Sequence, residues 1–185
     1  KNRKTSVKTR YIVDGQHLFR ADEETPYILD KNLKERIFQY FKLFIEQADI
    51  IITDWDQPTR KRYSLTEHTF DNINPSAIQL SITPFGLSGP YANYRSAPII
   101  QLALGGYLYL TGQPDQEPLM LPGYQPDYLA GLNGHNAVEI ALWDREKTGK
   151  GTFLDMSILE TLVTLHQFTF EMYTYEGFVR KRNGN

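Results

Sequence analysis

The sequence predicts an α/β fold, with a Rossmann-like parallel sheet and flanking helices. Three short runs rich in aliphatic residues, 49–53, 77–83 and 152–156, have the length of buried strands. Longer segments with apolar residues three and four positions apart separate them, as expected of helices. Strands that alternate with helices along a chain form βαβ units, whose strands run parallel.

The composition favours one sizeable hydrophobic core and limits the classes of function. The chain has 185 residues, 41% of them hydrophobic, and a formal net charge of −2. This charge argues against a general nucleic-acid-binding protein, whose affinity depends on many phosphate contacts. The sequence contains neither cysteine nor an apolar run of about 18 residues. We therefore expect a soluble, cytoplasmic protein with no nucleic-acid or membrane partner.

Residues 1–27 are predicted to form a basic N-terminal arm and a segment with weak structural signals, ahead of a domain at 28–185. Only residues 11–13 of this part predict a strand. The cations of the arm form either a solvated surface or an edge that faces phosphate groups. They are Lys1, Arg3, Lys4, Lys8 and Arg10.

The first half of the domain predicts two helices and two strands. Asp30 is placed to cap a helix, and a capping box beginning at Ser64 predicts a short helix that ends near Asn72. Strands are expected at 49–53 and 77–83. The apolar face of the first helix consists of Leu33, Ile37, Tyr40, Phe41, Phe44 and Ile45.

The second half predicts three helices and one strand. A loop at 85–98 precedes a buried helix at 99–110, which contains Gly105-Gly106. A proline-rich loop at 113–126 leads to a helix of about five turns. A strand at 152–156 and a helix at 158–175 follow.

The helix after residue 125 has the strongest signals in the sequence. It opens with Pro126-Asp127 and closes with cationic residues before Gly149, as helix ends commonly do. Free N–H groups and the positive end of the helix dipole stabilise a negative charge in a first turn. Asp127 is therefore either an ordinary N-cap or a carboxylate nucleophile. The apolar positions of this helix are Leu129, Leu132, Val138, Ala141 and Leu142.

Several motifs around this helix resemble the class III CoA-transferase family, of the CaiB/BaiF type. The likeness extends over about residues 28–185, and it implies part of a large domain from an interlocked fold. Family members have further segments on both sides, so the resemblance implies a fragment or single module. The matching motifs are Asp127 with Ala130-Gly131, Arg145 to Gly151, Ser81 to Gly86, Gly89-Pro90-Tyr91, Leu110-Thr111-Gly112, and Phe153 to Ser157 with Leu159-Glu160.

The resemblance implies an enzyme that moves CoA between carboxylic acids. In this family an aspartate, here Asp127, attacks an acyl-CoA thioester and passes through a mixed anhydride to an aspartyl-CoA thioester. The implied substrates are acyl-CoA and a carboxylic acid, so coenzyme A enters as part of the acyl-CoA substrate. No metal is expected, because the histidines lack the spacing of metal ligands. The implied assembly is a homodimer of interlocked chains.

The resemblance also implies a CoA-binding site at the ends of two strands. Trp55, beside Asp54, is expected to stack on adenine, and Arg62 to face a phosphate. Thr83 and the turn at Phe85-Gly86 are expected to line the thiol end of CoA. From the residues alone, the turn is equally a structural one, whereas the run Arg60-Lys61-Arg62 is better explained as a solvated charge run.

Four positions depart from the family pattern and support an alternative function. Asp54 and Asp56 stand where the family has Asn and Arg, Pro84 replaces a glycine, and Pro98 stands where transferases often have an acid. The alternative is a non-catalytic CoA-binding or scaffolding module of a tandem or multi-part protein. A lyase or dehydratase would need a base that the sequence does not identify.

The histidines give little support to other chemistry. None lies between His68 and His135, which argues against a racemase, because racemisation needs a second acid or base opposite the first. His17, His68 and His166 lack the spacing of metal ligands. His135 lies two turns after Asp127, where it is either a partner of the carboxylate or simply packed.

Overall fold

A computed structural model describes residues 7–13, 16–23 and 30–184 of the chain. The chain divides into two compact units, Lys1–Leu43 and Phe44–Asn185. In chain order the described elements are β1 (Val7–Val13), β2 (Gln16–Glu23), α1 (Lys31–Gln47), β3 (Ile50–Thr53), α2 (Gln57–Tyr63), β4 (Ile78–Thr83), α3 (Pro98–Leu104), α4 (Tyr107–Leu110), α5 (Gln125–Thr148), β5 (Phe153–Ser157), α6 (Ile158–Thr164) and α7 (Gln167–Glu176).

The first unit contains an antiparallel hairpin of β1 and β2. The rings of Tyr11 and Phe19 stack across the strands with centroids 4.3 Å apart. The strand predicted at 11–13 is confirmed, but it begins at Val7 and therefore includes Lys8 and Arg10 of the basic arm. The partner strand was not predicted, because charged residues interrupt its apolar pattern. Lys1, Arg3 and Lys4 lie outside the described residues.

The helix predicted after Asp30 is confirmed as α1. Its start is capped by the Asp30 carboxylate, which accepts a hydrogen bond from the Leu33 N–H at 2.8 Å. Near its end, Ile45 is buried and contributes to a core cluster of the second unit with Ile51 and Phe70.

The second unit is organised around a three-stranded parallel sheet in the order β3-β4-β5. The predicted α/β class with a parallel sheet and flanking helices is therefore confirmed. β4 lies at the centre, and its side chains are almost entirely buried. Its two neighbours are in register with it, so that Ser81 lies between Thr53 and Asp155.

One face of this sheet packs against α5. Ile78 and Leu80 of β4 form a core cluster with Val138 and Ala141 of the helix. Burying an aliphatic side chain of this size contributes about 1.5–3 kcal/mol. Gly134 allows a close approach, because an ideal Cβ at this position would lie 3.0 Å from Leu80 Cδ2. The helices α3 and α6 also contact α5.

The other face of the sheet is covered by α2 and the turns that follow it. Buried Asn74 fixes these turns to the end of α1, because its Nδ2 donates to the carbonyl oxygens of Ile45 and Ala48, each at 2.9 Å. Its Oδ1 accepts a hydrogen bond from the Ser76 hydroxyl at 2.9 Å. Carbonyls that a helix end would leave unpaired are satisfied in this way.

The short helix predicted from Ser64 to Asn72 is wrong. The helix lies earlier, at α2, and Ser64 is its C-cap, with a left-handed φ of 54°. Asp56 gives α2 its start, since its carboxylate accepts a hydrogen bond from the Thr59 N–H at 2.9 Å. Pro58 stands in the first turn, where proline is well tolerated.

Two of the predicted helices are each divided into two shorter helices in the structure. The expected helix at 99–110 divides into α3 and α4 at Gly105-Gly106, where Gly106 has a φ of 85°. The expected helix at 158–175 divides into α6 and α7, and His166 at the break packs on Tyr107 with ring centroids 4.2 Å apart. Glycine flexibility explains the first break, and the ring contact accompanies the second.

Candidate functional site

The carboxyl ends of the three parallel strands define the region in which sites of α/β proteins usually form. β3 ends at Thr53 and leads to Asp54-Trp55, whereas β4 ends at Thr83 and leads to Phe85-Gly86. The parallel register of β3 with β4 places these two segments at the same edge of the sheet. The structure therefore brings both groups of predicted CoA-binding residues to one edge.

Asp127 reaches the same edge from α5. Arg145, near the end of this helix, donates to the carbonyl oxygen of Ser76, which precedes β4. Gly134 lies further along β4, since an ideal Cβ there would be 3.6 Å from Ile82 Cδ1. The helix thus runs antiparallel to the strand. Asp127 is seven residues before Gly134, about 10 Å at 1.5 Å per residue, and so lies toward the carboxyl end of β4.

The Asp127 side chain is exposed in the first turn of α5. Tyr124 is the N-cap, so the interpretation of Asp127 as an N-cap is wrong. The reason is that the helix begins two residues earlier than the aspartate, at Gln125. Among the described residues, none forms a hydrogen bond or ion pair with its carboxylate. This exposed carboxylate is therefore accessible to a ligand at the sheet edge.

Trp55 and Asp54 have different surroundings. Trp55 is half-buried against the core cluster that contains Ile51 and Phe70, and its ring centroid is 6.3 Å from that of Phe70. Asp54 is exposed. One side of the tryptophan ring thus packs on the core. Only its accessible side is available to stack on adenine.

The basic run after Asp54 does not behave as a single solvated surface. Arg62 is exposed and its guanidinium lies 5.5 Å from the ring centroid of Tyr63. Arg60 is only 5% exposed, and its guanidinium lies 5.3 Å from the ring centroid of Phe153 in β5. Arg60 therefore belongs to the packing of α2 on the sheet, and the solvated interpretation is wrong for this residue.

The turn after β4 is well packed. Thr83 and Phe85 are buried, and among the described residues the Thr83 hydroxyl has no hydrogen-bond partner. Gly86 has a φ of 77°, which favours glycine. The Pro84 carbonyl accepts a hydrogen bond from the Leu159 N–H at 3.1 Å, which joins the turn to the start of α6.

Two of the departures from the family pattern have structural functions. Asp56 caps α2, and hydrogen bonding from Thr59, first from its side chain and then from its backbone, holds the pKa of Asp56 below its ordinary value of 3.8. Pro98 stands in the first turn of α3. Both substitutions are therefore explained by local folding.

Asp155 is a residue near the site that the sequence did not identify. Its carboxylate accepts the Leu87 N–H, at 3.2 Å from Oδ1 and 3.0 Å from Oδ2. The only indication in the sequence was that Asp155 lies within the Phe153 to Ser157 motif that matches the family. The motif alone did not show which segment the carboxylate contacts.

His135, the other titratable candidate on α5, lies at the surface. His135 is exposed, with Nδ1 4.0 Å from a carboxylate oxygen of Glu139. Within the described ranges, no group of three or more His, Cys, Asp or Glu residues is placed to hold a metal ion. No helix in the same part of the chain is long and apolar enough to cross a membrane.

Comparison with known proteins identifies the family. The model of CoA-transferase family III matches residues 33–185, so the chain belongs to this family. It is 31% identical over 158 residues to the alpha subunit of succinyl-CoA–L-malate CoA-transferase from Chloroflexus aurantiacus, covering 84% of this chain and 36% of the relative. It is 32% identical over 147 residues to the beta subunit of that enzyme, covering 78% and 36%.

A solved structure supports the fold and the family. A CAIB/BAIF family protein from Brucella suis matches with a TM-score of 0.75 and 30% sequence identity, over 84% of this chain and 40% of that chain. The chain thus spans little more than a third of the length of the curated relatives named above.

Proposed function

We propose that this chain carries the reactive aspartate of a CoA-transferase that moves CoA between carboxylic acids. The observation that carries the proposal is the placement of Asp127. An exposed carboxylate without a partner among the described residues lies at the carboxyl edge of a parallel sheet, in a chain of CoA-transferase family III. Family membership supplies the reaction class, and the accessibility of the carboxylate supports its role.

The proposed reaction uses Asp127 as a covalent nucleophile. Its carboxylate attacks the thioester carbonyl of the donor, which releases CoA thiolate and leaves a mixed anhydride. The thiolate then attacks the aspartyl carbonyl, which gives an aspartyl-CoA thioester and frees the donor acid. The carboxylate of the acceptor acid attacks this thioester, which releases CoA thiolate and leaves a second mixed anhydride between Asp127 and the acceptor. The thiolate then attacks the acceptor carbonyl of this anhydride, which gives the new acyl-CoA and frees the Asp127 carboxylate.

The proposed CoA site consists of the segments that follow β3 and β4 at the carboxyl edge of the sheet. Trp55 with Asp54 is the proposed adenine contact, and Arg62 faces a phosphate. Thr83, Phe85 and Gly86 are proposed to line the thiol end. Relatives that are named for succinyl-CoA and L-malate suggest a dicarboxylic acid as donor or acceptor, and relatives named as subunits support a multimer. We infer a homodimer of interlocked chains.

The decisive experiment is trapping of the acylated aspartate. The protein is incubated with succinyl-CoA and then hydroxylamine, which cleaves an activated aspartyl group and leaves a hydroxamate. We expect a mass shift in the peptide that contains Asp127, and none in the variant Asp127→Ala. Asp144→Ala, which removes another exposed carboxylate of α5, is the matched control and should retain the shift.

The alternative function makes the opposite prediction. Binding of CoA without a mass shift, for succinyl-CoA and for other acyl-CoA donors, would identify a non-catalytic CoA-binding or scaffolding module. Native mass spectrometry of the same samples gives the mass of the assembly. A monomeric mass at micromolar concentration would contradict the inferred homodimer.

A further inference from the structure

We propose that Asp155 and Gln57 are positioning residues that hold the backbone of Leu87 and thereby fix the Phe85-Gly86 turn for CoA binding. This inference rests on the proposed function, because it concerns the turn that is proposed to line the thiol end of CoA. It adds two residues whose action is indirect, since each acts through the backbone of the turn.

The backbone of Leu87 is held from two elements. Its N–H donates to both carboxylate oxygens of Asp155 in β5, at 3.2 and 3.0 Å. Its C=O accepts a hydrogen bond from Gln57 Nε2 in the first turn of α2. Hydrogen bonds to a charged acceptor are stronger than neutral ones. One residue of the turn is thus fixed at its donor and at its acceptor.

The rest of the turn is shaped around the same carboxylate. Gly86 has a left-handed φ of 77°, and an ideal Cβ on it would lie 3.6 Å from Asp155 Oδ2. Phe85 is buried, and its ring centroid is 5.8 Å from that of Tyr91. The turn therefore has a defined conformation, and its attachment to β5 passes through Asp155.

This arrangement leaves two donors of the turn without protein partners. Among the described residues, none accepts a hydrogen bond from the N–H of Phe85 or of Gly86. Preorganised N–H groups of this kind stabilise negative charge that develops on a substrate oxygen. Because Asp155 accepts the Leu87 N–H, it restricts the backbone that carries the two preceding N–H groups.

The first test measures the turn without any ligand. Hydrogen exchange of the Leu87 amide is compared in the unaltered protein, Asp155→Ala, Asp155→Asn and the control Asp144→Ala. We expect exchange roughly tenfold faster in Asp155→Ala, the factor that corresponds to loss of one hydrogen bond. Asp155→Asn keeps one carbonyl acceptor but loses the charge, so its exchange should lie between those of the unaltered protein and Asp155→Ala. Equal exchange in all four proteins would overturn the proposal.

Amide protection in β4 and α5 shows whether the variants fold. If Asp155→Ala is unfolded, Gln57→Ala provides an independent measurement at the other end of Leu87. Its expected effect is faster exchange in the peptide 84–88, with β4 protection unchanged. Unchanged exchange there would overturn the part assigned to Gln57.

The second test measures CoA binding and transfer. In Asp155→Ala we expect the Kd of CoA to rise roughly tenfold, and we expect Asp155→Asn to restore part of the affinity. In the transfer reaction the same variant should raise KM more than it lowers kcat, whereas general destabilisation would lower the active fraction at constant KM. A looser turn with an unchanged Kd would overturn the positioning role.

The two proposals fail in different ways. If the unaltered protein binds no CoA, the proposed function fails together with the role of the turn in binding. The amide exchange of Leu87 still decides whether Asp155 and Gln57 hold the turn.

Discussion

Gly131 and Gly134 lie one turn apart on α5, yet they meet different surroundings. Gly134 is buried, and a Cβ there would meet Leu80 of β4 at 3.0 Å. Gly131 is exposed, and no atom lies within 4 Å of an ideal Cβ at this position. Packing therefore explains the glycine at 134 and leaves the one at 131 without a structural reason. Gly131 lies one helical turn after Asp127.

This contrast predicts opposite effects of the same substitution. Gly131→Ala should raise the free energy of unfolding by about 0.5–1 kcal/mol, because alanine is the better helix former. Gly134→Ala gains the same propensity but crowds Leu80, and overpacking of this kind costs about 1–3 kcal/mol. Urea denaturation of both variants measures the difference. Equal stabilisation by the two substitutions would show that α5 adjusts freely against β4.

At the scale of the element, α2 shows how competing start signals are decided. The capping box at Ser64 predicts a helix, whereas the helix that forms starts at the other cap signal, Asp56 with Pro58. Ser64 instead ends α2 in a left-handed conformation, so the residues after it turn back and place Phe70 in the core beside Trp55. Local propensity alone does not distinguish these starts, because both satisfy the same free N–H groups.

The cap of α2 gives this element a pH-dependent contribution to stability. Hydrogen bonding from Thr59 lowers the pKa of Asp56 below 3.8 in the folded protein. The stabilisation is therefore present above that value and is lost as the pH falls through the folded pKa. Asp56→Ala should cost about 1 kcal/mol at neutral pH, as other N-cap removals do, and progressively less in acid.

The measurement is the free energy of unfolding of both proteins as a function of pH. Asp56→Asn serves as the control, since its side chain oxygen still accepts the Thr59 N–H but carries no charge. Its stability relative to Asp56→Ala should not change with pH. A constant difference between the unaltered protein and Asp56→Ala down to acid pH would contradict this account.

Most elements of the second unit were predictable because each carries its own signal. The three strands are short runs rich in aliphatic residues. α5 is marked by its ends, with Pro126 in the first turn and Gly149 in the expected left-handed conformation after the last. The breaks at Gly105-Gly106 and His166 were missed, since the apolar pattern continues through them. The hairpin partner of β1 was missed because its side chains are mostly polar.

The candidate site was less predictable than the elements that support it. The position of Asp127 in a first turn follows from sequence, and its exposure does not. The contact between Asp155 and Leu87 depends on the register of β5 with β4, which no local pattern specifies. Burial of Arg60 under Phe153 likewise depends on how α2 packs on the sheet.

At the scale of the whole second unit, Arg145 joins the end of α5 to the starts of two strands. Its Nη1 donates to the carbonyl oxygens of Asp49 and Ser76, each at 3.3 Å, and its Nη2 contacts Asp49 Oδ1 at 3.0 Å. The Asp49 side chain is 78% exposed, so the ion pair itself contributes little. The two carbonyl contacts therefore account for most of the effect.

Two alanine variants separate these contributions. Arg145→Ala should lower the free energy of unfolding by about 1–3 kcal/mol, because it leaves the part-buried Ser76 carbonyl without its donor. The Asp49 carbonyl still accepts the Ile78 N–H at 3.0 Å in this variant. Asp49→Ala should cost less than about 1 kcal/mol, since it removes only an exposed ion pair. Thermal and urea unfolding of the two proteins provide the comparison. A larger loss for Asp49→Ala would assign the stability to the charge pair.

The Leu87 contact also bears on the order in which the chain takes shape during synthesis. Asp155 follows Leu87 by 68 residues, so the ribosome produces the turn long before the carboxylate that holds it. The central strand likewise waits for β5 before both of its edges are paired. A nascent chain that stops short of residue 155 has the residues of the turn without the contact that fixes it, and we expect this part of the binding edge to be completed late in translation.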